Sequence, residues 1–341
     1  MTLAEIARLA GVSRTTASYV INGQAETRRI SQDTVDRVMA VVERHRYRVD
    51  PQAAALRRGS SRTLGLIVPD LENVTYARLA KRLERGAREA GYQLLIAGSD
   101  DRPEVERDLA LALRARRCEV LITASSLPMD DPFYAELQAE GLPVVAVDRG
   151  FDAARFASVV SNDAEAAQRL AASVLSPETS RVVWLDAVPG LSITQERRSG
   201  FQRALAGGEA EAIMRSGERY DRAEGARLMR RVIDEHGLPD ALATASYSLF
   251  DGVLDTLLEA GGLPASLRLA TFGDSRLLEF LPVAVNSAEQ DHDRMAEATL
   301  ESALAAARGE GAAGQRTVPR RMRWRAGAEE GAAPSAPISP R

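Results

Sequence analysis

Residues 1–23, MTLAEIARLAGVSRTTASYVING, spell two short helices joined by one glycine turn, and few folds accept such a segment. Thr2 and Glu5 have the spacing of a capping box, in which the hydroxyl accepts from the Glu5 amide and the carboxylate answers the Thr2 amide. Leu3, Ile6, Ala7 and Ala10 recur at helical spacing, and Gly11 supplies the turn. Ser13 can cap a second helix, in which Arg14, Thr15, Ser18 and Tyr19 alternate with Ala17, Val20 and Ile21 before Asn22-Gly23 stops it. Ser31 can cap a third helix reaching about His45, with Val35, Val38, Met39 and Val42 on one face. Three such helices can bury one small core, which predicts an all-α helix-turn-helix unit over residues 1–46. A second helix that displays Arg, Thr and Tyr in its first turns suits the major groove of DNA. A helical cap on an enzyme is the competing reading.

Charge favours the groove. Up to residue 60 the chain has ten arginines against six carboxylates, a balance of +4 on a protein whose net charge is −4. The remaining residues therefore carry −8. Positive charge is concentrated where phosphates would be met, on a chain too acidic for general nucleic-acid affinity. Lys81 is the only lysine, and arginine also occupies ordinary solvent faces.

Residues 47–61 read as a linker. PQAAALRR, at 51–58, begins with proline at a possible first helical position and continues with strong helix formers. Two turns are marginal for a helix alone in water. Gly59-Ser60-Ser61 gives a flexible exit, and the Ala-, Gly- and Pro-rich residues 327–341 read as an unstructured tail.

From residue 62 onward, short apolar runs alternate with helical segments. Strands are expected at 64–68, 93–97, 120–123, 144–147, 158–160, 182–185, 241–245, 269–272 and 283–285. Helical periodicity marks 76–90, 104–117, 164–175, 193–206, 223–236 and 249–259. This alternation predicts an α/β core of two doubly wound parallel sheets with right-handed crossovers. The lobes change near Asn162 and again near Gln290, giving one lobe of about 62–161 plus about 290–315 and another of about 162–289 plus about 316–326. In open parallel sheets ligands sit beyond the carboxyl ends of the strands. Those ends carry Asp70, Asn73 and Thr75; Ser99, Asp100 and Asp101; Ser125 and Ser126; Asp148-Arg149; Ser246 and Tyr247; and Asp274, with Arg197 early in its helix. Asp and Arg present planar groups suited to vicinal hydroxyls. A phosphate would use Arg, hydroxyls and free amides at a helix N-terminus.

Other classes fit poorly. At 341 residues the chain can form two or three domains. One cysteine, Cys118, excludes an internal disulfide and a cysteine-cluster metal site, and its expected place is a small core position. His45, His236 and His292 have no metal-ligand spacing, and there is no Walker loop, nucleophile elbow or dinucleotide fingerprint. No metal or cofactor is expected. Without a signal peptide or a membrane-length apolar run, the expected location is the cytoplasm, with no membrane partner. A sugar-phosphate-processing enzyme is the remote alternative.

LAGVSRTTASYVING, the third helix and AAALRRGSSRTLGLIVPD resemble the lactose/galactose-repressor (LacI-type) family of transcriptional regulators. The resemblance implies a two-lobed periplasmic-binding-protein-like core with three chain crossings. It further implies that Arg14, Thr15 and Tyr19 read bases, while Thr2, Ser13, Thr16, Ser18, Asn22, Ser31 and Thr34 anchor to phosphate. Leu56 matches a hinge leucine that wedges into the minor groove. Asn73, Thr75, Ser99, Asp101, Ser125, Asp148, Arg149, Arg197, Ser246, Tyr247, Asp274 and Gln290 are the expected effector-binding residues; Arg197, Asp274 and Gln290 match family cleft positions. LIVPDLENVTYARLA, AGYQLLIAGSDD, SSLP, DPFY, VVAVDR and ATFGD are closer still to the fructose-repressor branch. That branch implies a regulator released from double-stranded operator DNA by a sugar phosphate, fructose 1-phosphate foremost, with a different sugar or metabolite as the alternative. The expected assembly is a homodimer on a near-palindromic site; no leucine heptad follows residue 324, and a tetramer formed by another route stays open.

Overall fold

The computed structural model describes residues 1–47 and 60–326. The chain divides into two compact units, Met1–Ser61 and Arg62–Arg341.

In the first unit, α1 (Leu3–Ala10) starts on the expected capping box: the Thr2 amide donates to Glu5 at 2.7 Å and the Glu5 amide donates to the Thr2 hydroxyl at 3.3 Å. Gly11 ends it at φ 66°, a left-handed turn that a side chain would strain. α2 (Arg14–Ile21) starts on Ser13, whose hydroxyl accepts from the Thr16 amide at 3.0 Å. α3 (Gln32–Arg44) departs from expectation in two ways. Ser31 makes no side-chain cap bond, its hydroxyl pairing instead with that of Thr34 at 2.9 Å. Met39 is 40 % exposed, and Val35, Val38, Val41 and Val42 form the inward face. The core they meet is Ile6, Ala7, Ala10, Ala17 and Val20. Residues 51–58, with Leu56, and the tail at 327–341 lie outside the described residues.

The second unit contains two sheets. The first, ordered β11-β5-β4-β3-β1-β2, comprises β1 (Thr63–Val68), β2 (Gln93–Gly98), β3 (Val120–Thr123), β4 (Val144–Val147), β5 (Ala157–Ser161) and β11 (Gly314–Val318), all parallel. The second, ordered β12-β10-β9-β8-β6-β7, comprises β6 (Arg181–Ala187), β7 (Glu211–Gly217), β8 (Ala241–Thr244), β9 (Arg268–Phe272), β10 (Val285–Glu289) and antiparallel β12 (Arg321–Arg323). Helices α4 (Val74–Glu89), α5 (Pro103–Ala115), α6 (Phe133–Ala139) and α11 (His292–Ala307) belong with the first sheet. Helices α7 (Asp163–Ala172), α8 (Ser192–Leu205), α9 (Arg222–His236) and α10 (Tyr247–Glu259) belong with the second.

The chain crosses between sheets after Ser161, again after Glu289, and a third time between Val318 and Arg321. β11 pairs with β5 along its whole length, so the third crossing comes later than the expected change at residue 316. Three strands have no counterpart among the apolar runs: β7, β11 and β12. All are edge strands with polar or arginine-rich faces, as expected where one side of the ladder meets solvent. The expected 283–285 strand begins at Val285, two residues later.

Each sheet has a topological switch point, between β1 and β3 in the first and between β6 and β8 in the second. The carboxyl ends there open a crevice that apolar packing holds in shape. Trp184 on β6 stacks on Phe201 of α8 at 5.0 Å and meets Phe272 of β9 edge-on. Gly225 and Gly252 let α9 and α10 approach backbone to backbone; a Cβ on Gly252 would strike the Arg222 carbonyl. Cys118 is buried, as expected of a core position, and burial pushes its thiol up to about 11.

Candidate ligand cleft and nucleic-acid face

On the first unit, Arg14 and Thr15 open α2 and are exposed, and Tyr19 lies one turn further along, half-buried. The Arg28 guanidinium sits 4.7 Å above the Tyr19 ring. The hydroxyl-bearing residues occur in pairs at helix starts: Ser13 with Thr16 at 2.8 Å, and Ser31 with Thr34 at 2.9 Å. Thr2 caps α1, and Asn22 donates to the Ser18 carbonyl and hydroxyl at the end of α2. Backbone amides and hydroxyls at three helix N-termini are suited to phosphate oxygens.

In the second unit the strand ends line a cavity that opens to solvent. Of the expected ligand residues, Asn73, Thr75, Asp101, Asp148, Arg149, Arg197, Ser246 and Tyr247 line it. Two helices point their starts at it from opposite lobes. Asn73 caps α4, accepting from the Thr75 amide at 3.0 Å, and Ser246 caps α10, accepting from Leu249 at 3.2 Å. Asp101 and Asp148 adopt positive φ, 54° and 65°, a strained conformation that Asp tolerates better than most residues.

Three arginines dominate the floor. Arg149 donates to Asp101 at 2.6 Å and to the Ser125 carbonyl at 3.3 Å. Arg197 and Arg320 share the buried carboxylate of Asp163 at 3.1 and 2.7 Å. Burial alone would raise the Asp163 carboxyl, but the two guanidinium charges outweigh it and hold the group below its ordinary range. Arg197 and Arg320 also stand 4.4 and 5.0 Å from the Phe272 ring centroid. Asp148 accepts from the Tyr76 hydroxyl at 2.9 Å and from the Gln290 amide at 2.6 Å. Burial drives the Tyr76 phenol well above its usual value, so it remains a donor.

Four expected residues lie off the cavity wall. Ser99 and Ser125 are buried behind it, Ser125 accepting from the Leu127 amide. Gln290 is buried against Asp148 and leaves its Oε1 without a partner among the described residues. Asp274 is tied to Arg325 at 2.9 Å and to Ser287 at 2.6 Å, and faces an adjoining hollow with Arg78 and His292. Asp274, expected from resemblance to hold sugar hydroxyls, meets Arg325 and Ser287 through the single oxygen Oδ1 and lines the adjoining hollow instead of this cavity wall. The wall includes Tyr76, Tyr220, Phe272 and Arg320, which sequence reasoning missed. Tyr220 follows β7 and Arg320 follows β11, so recognising those strands would have pointed to both.

Among the described residues no group of acidic, histidine or cysteine side chains could hold a metal ion, and no helix is long and apolar enough to cross a membrane. Residues 2–50 match the family model of bacterial regulatory proteins, lacI family, and residues 61–273 match that of periplasmic binding proteins and sugar binding domain of LacI family. The chain is 47 % identical to the fructose operon regulatory protein of Vibrio cholerae, over 95 % of its own length and 100 % of that protein's. It is 45 % identical to the catabolite repressor/activator of Escherichia coli K12, over 89 % and 92 % of the two lengths. The structure of the Cra transcriptional dual regulator from Pseudomonas putida, in complex with fructose 1-phosphate, superposes with a TM-score of 0.76 at 49 % identity, covering 78 % of this chain and 99 % of that one. The lac repressor dimer bound to operator shares the fold, with a TM-score of 0.82 at 18 % identity over 95 % of this chain and 98 % of that one. The helix-turn-helix, the two sheets and these matches agree: the chain belongs to the LacI family of bacterial regulatory proteins and is a DNA-binding transcriptional regulator, not an enzyme.

Proposed function

We propose that this regulator controls genes of fructose and central carbon metabolism and is released from its operator by fructose 1-phosphate, bound in the cleft between its lobes. The observation that carries this reading is the cavity itself. It combines Arg149, Arg197 and Arg320 with the starts of α4 and α10, in a chain 49 % identical to a protein solved with that ligand. Guanidinium groups and helix N-termini supply the donors a phosphate needs, and Asp101 and Asp148 supply acceptors for sugar hydroxyls. Asn73, Thr75, Ser246 and Tyr247 complete the wall, with Ser99, Ser125 and Gln290 behind it.

In this reading Arg14, Thr15 and Tyr19 read bases, and Thr2, Ser13, Thr16, Ser18, Asn22, Ser31 and Thr34 hold phosphates. Two copies read a near-palindromic operator. Exposed Leu71 and Val74 on one lobe, and Leu277 and Phe280 on the other, offer apolar surface for that pairing. Ligand in the cleft changes the relative orientation of the lobes, and the linker carries the change to the reading heads. Leu56 is the proposed minor-groove wedge, and Leu56→Ala should reduce operator bending while leaving ligand affinity intact.

Titration calorimetry across free and phosphorylated hexoses, with operator release followed in parallel, tests the reading. Fructose 1-phosphate should give heat and release. If it gives neither while another metabolite gives both, the effector assignment is wrong. Sedimentation equilibrium should find a dimer at micromolar concentration; a monomer that still binds operator tightly would contradict the assembly.

A further inference from the structure

Behind the cleft, in the first lobe, lies a carboxylate that no solvent reaches. Glu106, on the first turns of α5, is fully buried. It accepts from the Ser126 amide at 2.7 Å, the Tyr134 hydroxyl at 2.5 Å and the Thr123 hydroxyl at 3.3 Å. One side chain thus joins α5, the end of β3, helix α6 and the turn after β3. No ion pair to Glu106 occurs among the described residues. A buried carboxylate held by neutral donors alone is expensive unless the surroundings fix those donors.

The turn it holds bears on Arg149. The Ser126 hydroxyl donates to Asp101 at 3.1 Å, and the Arg149 guanidinium donates to that same Asp101 oxygen, to the Ser125 carbonyl and, at 3.4 Å, to the Ser126 hydroxyl. Three of the groups that fix Arg149 therefore belong to, or are tied by, the segment that Glu106 clamps. Arg149 is 4 % exposed and lines the cavity, and its buried Nε–H has no partner among the described residues. The direction of that unspent donor depends on where the 125–126 backbone sits.

We propose that Glu106 is a positioning residue for ligand recognition: through the Ser126 amide it fixes the turn that aims the Arg149 guanidinium into the cleft. The proposal rests on the reading of this cleft as a fructose 1-phosphate site. A positioning role and a merely structural one differ in what they move. Structural loss lowers the melting temperature and leaves the affinity of folded protein unchanged. Loss of positioning weakens the ligand.

The test measures fructose 1-phosphate affinity by calorimetry, melting temperature and operator affinity in the full chain. The variants are Glu106→Ala, Glu106→Gln, Tyr134→Phe and Leu83→Ala. Leu83 is a buried core residue of the same lobe that contacts none of these groups through a hydrogen bond, so its truncation reports destabilisation alone. Glu106→Ala should weaken the ligand at least tenfold. Glu106→Gln retains an oxygen for the Ser126 amide and should stay within about threefold of wild type. Tyr134→Phe, which removes the phenol that donates to Glu106, should fall between them, and Leu83→Ala should melt lower with unchanged affinity. Operator affinity without ligand should remain within twofold in all four. Unchanged affinity in folded Glu106→Ala overturns the proposal. Should Glu106→Ala fail to fold, Tyr134→Phe decides: wild-type affinity in that folded variant overturns the proposal equally. Wild-type protein that does not bind fructose 1-phosphate overturns the reading of the cleft, and the proposal with it.

Discussion

A residue's role here depends on which of its polar atoms are already engaged. Arg14 is exposed at the start of α2, whereas Ser13 beside it is engaged in capping. Arg14→Ala and Tyr19→Ala should each remove about 1–3 kcal/mol of base discrimination, while Ser18→Ala should weaken all sequences more evenly. Binding-site selection on randomised operators measures the difference, and unchanged preference in both variants would move the reading surface elsewhere. His292 gives a pH prediction. Burial, and then the charges of Arg78, Arg82 and Arg320, push its imidazole down to about 4. Its contribution to stability is present above the unfolded value near 6.5 and is lost as pH falls towards 4, because only the unfolded chain takes up the proton in that window. The loss should approach roughly 3 kcal/mol. Urea midpoints between pH 7 and 4.5 should therefore fall more steeply for wild type than for His292→Gln, and parallel slopes would rule this out.

At the scale of elements, spacing and caps did most of the specifying. The Thr2–Glu5 box, Gly11 and Ser13 mark the bounds of α1 and α2 through local chemistry, which a sequence displays directly. Ser13→Ala should destabilise the first unit by about 1 kcal/mol through the lost cap, measurable by thermal melting. Edge strands are harder to read, because β7, β11 and β12 are specified by the neighbour they pair with rather than by an apolar run. Close helix packing is equally hidden. Gly252→Ala places a methyl against the Arg222 carbonyl and should cost about 1–3 kcal/mol by forcing α9 and α10 apart. Chemical denaturation checks this, and an unchanged midpoint would show that the pair can separate freely.

At the scale of the whole molecule, ligand and operator must act on each other reciprocally. If fructose 1-phosphate weakens operator binding by some factor, operator must weaken fructose 1-phosphate binding by the same factor. Calorimetry with and without operator measures it, and a fructose 1-phosphate affinity that operator leaves unchanged would show that the two sites are not coupled. Arg149→Ala and Arg197→Ala should abolish release while leaving operator affinity nearly intact. Helix periodicity, caps, strand–helix alternation and the split of charge were legible in the chain because each is a local property of consecutive residues. They determined a helix-turn-helix followed by two mostly parallel α/β sheets, the antiparallel β12 excepted. Which polar residues at the strand ends share one cavity was not legible. Asp274 and Arg197 look alike as strand-end and helix-start polar groups, and each is paired to a residue distant in sequence, yet Arg197 lines the cavity while Asp274 lines the adjoining hollow. Arg320 reaches the same wall because the chain crosses between sheets a third time. A side chain's hydrogen-bonding capacity is written in the sequence, but whether a neighbour has already used it depends on long-range packing, and only the tertiary structure decides that.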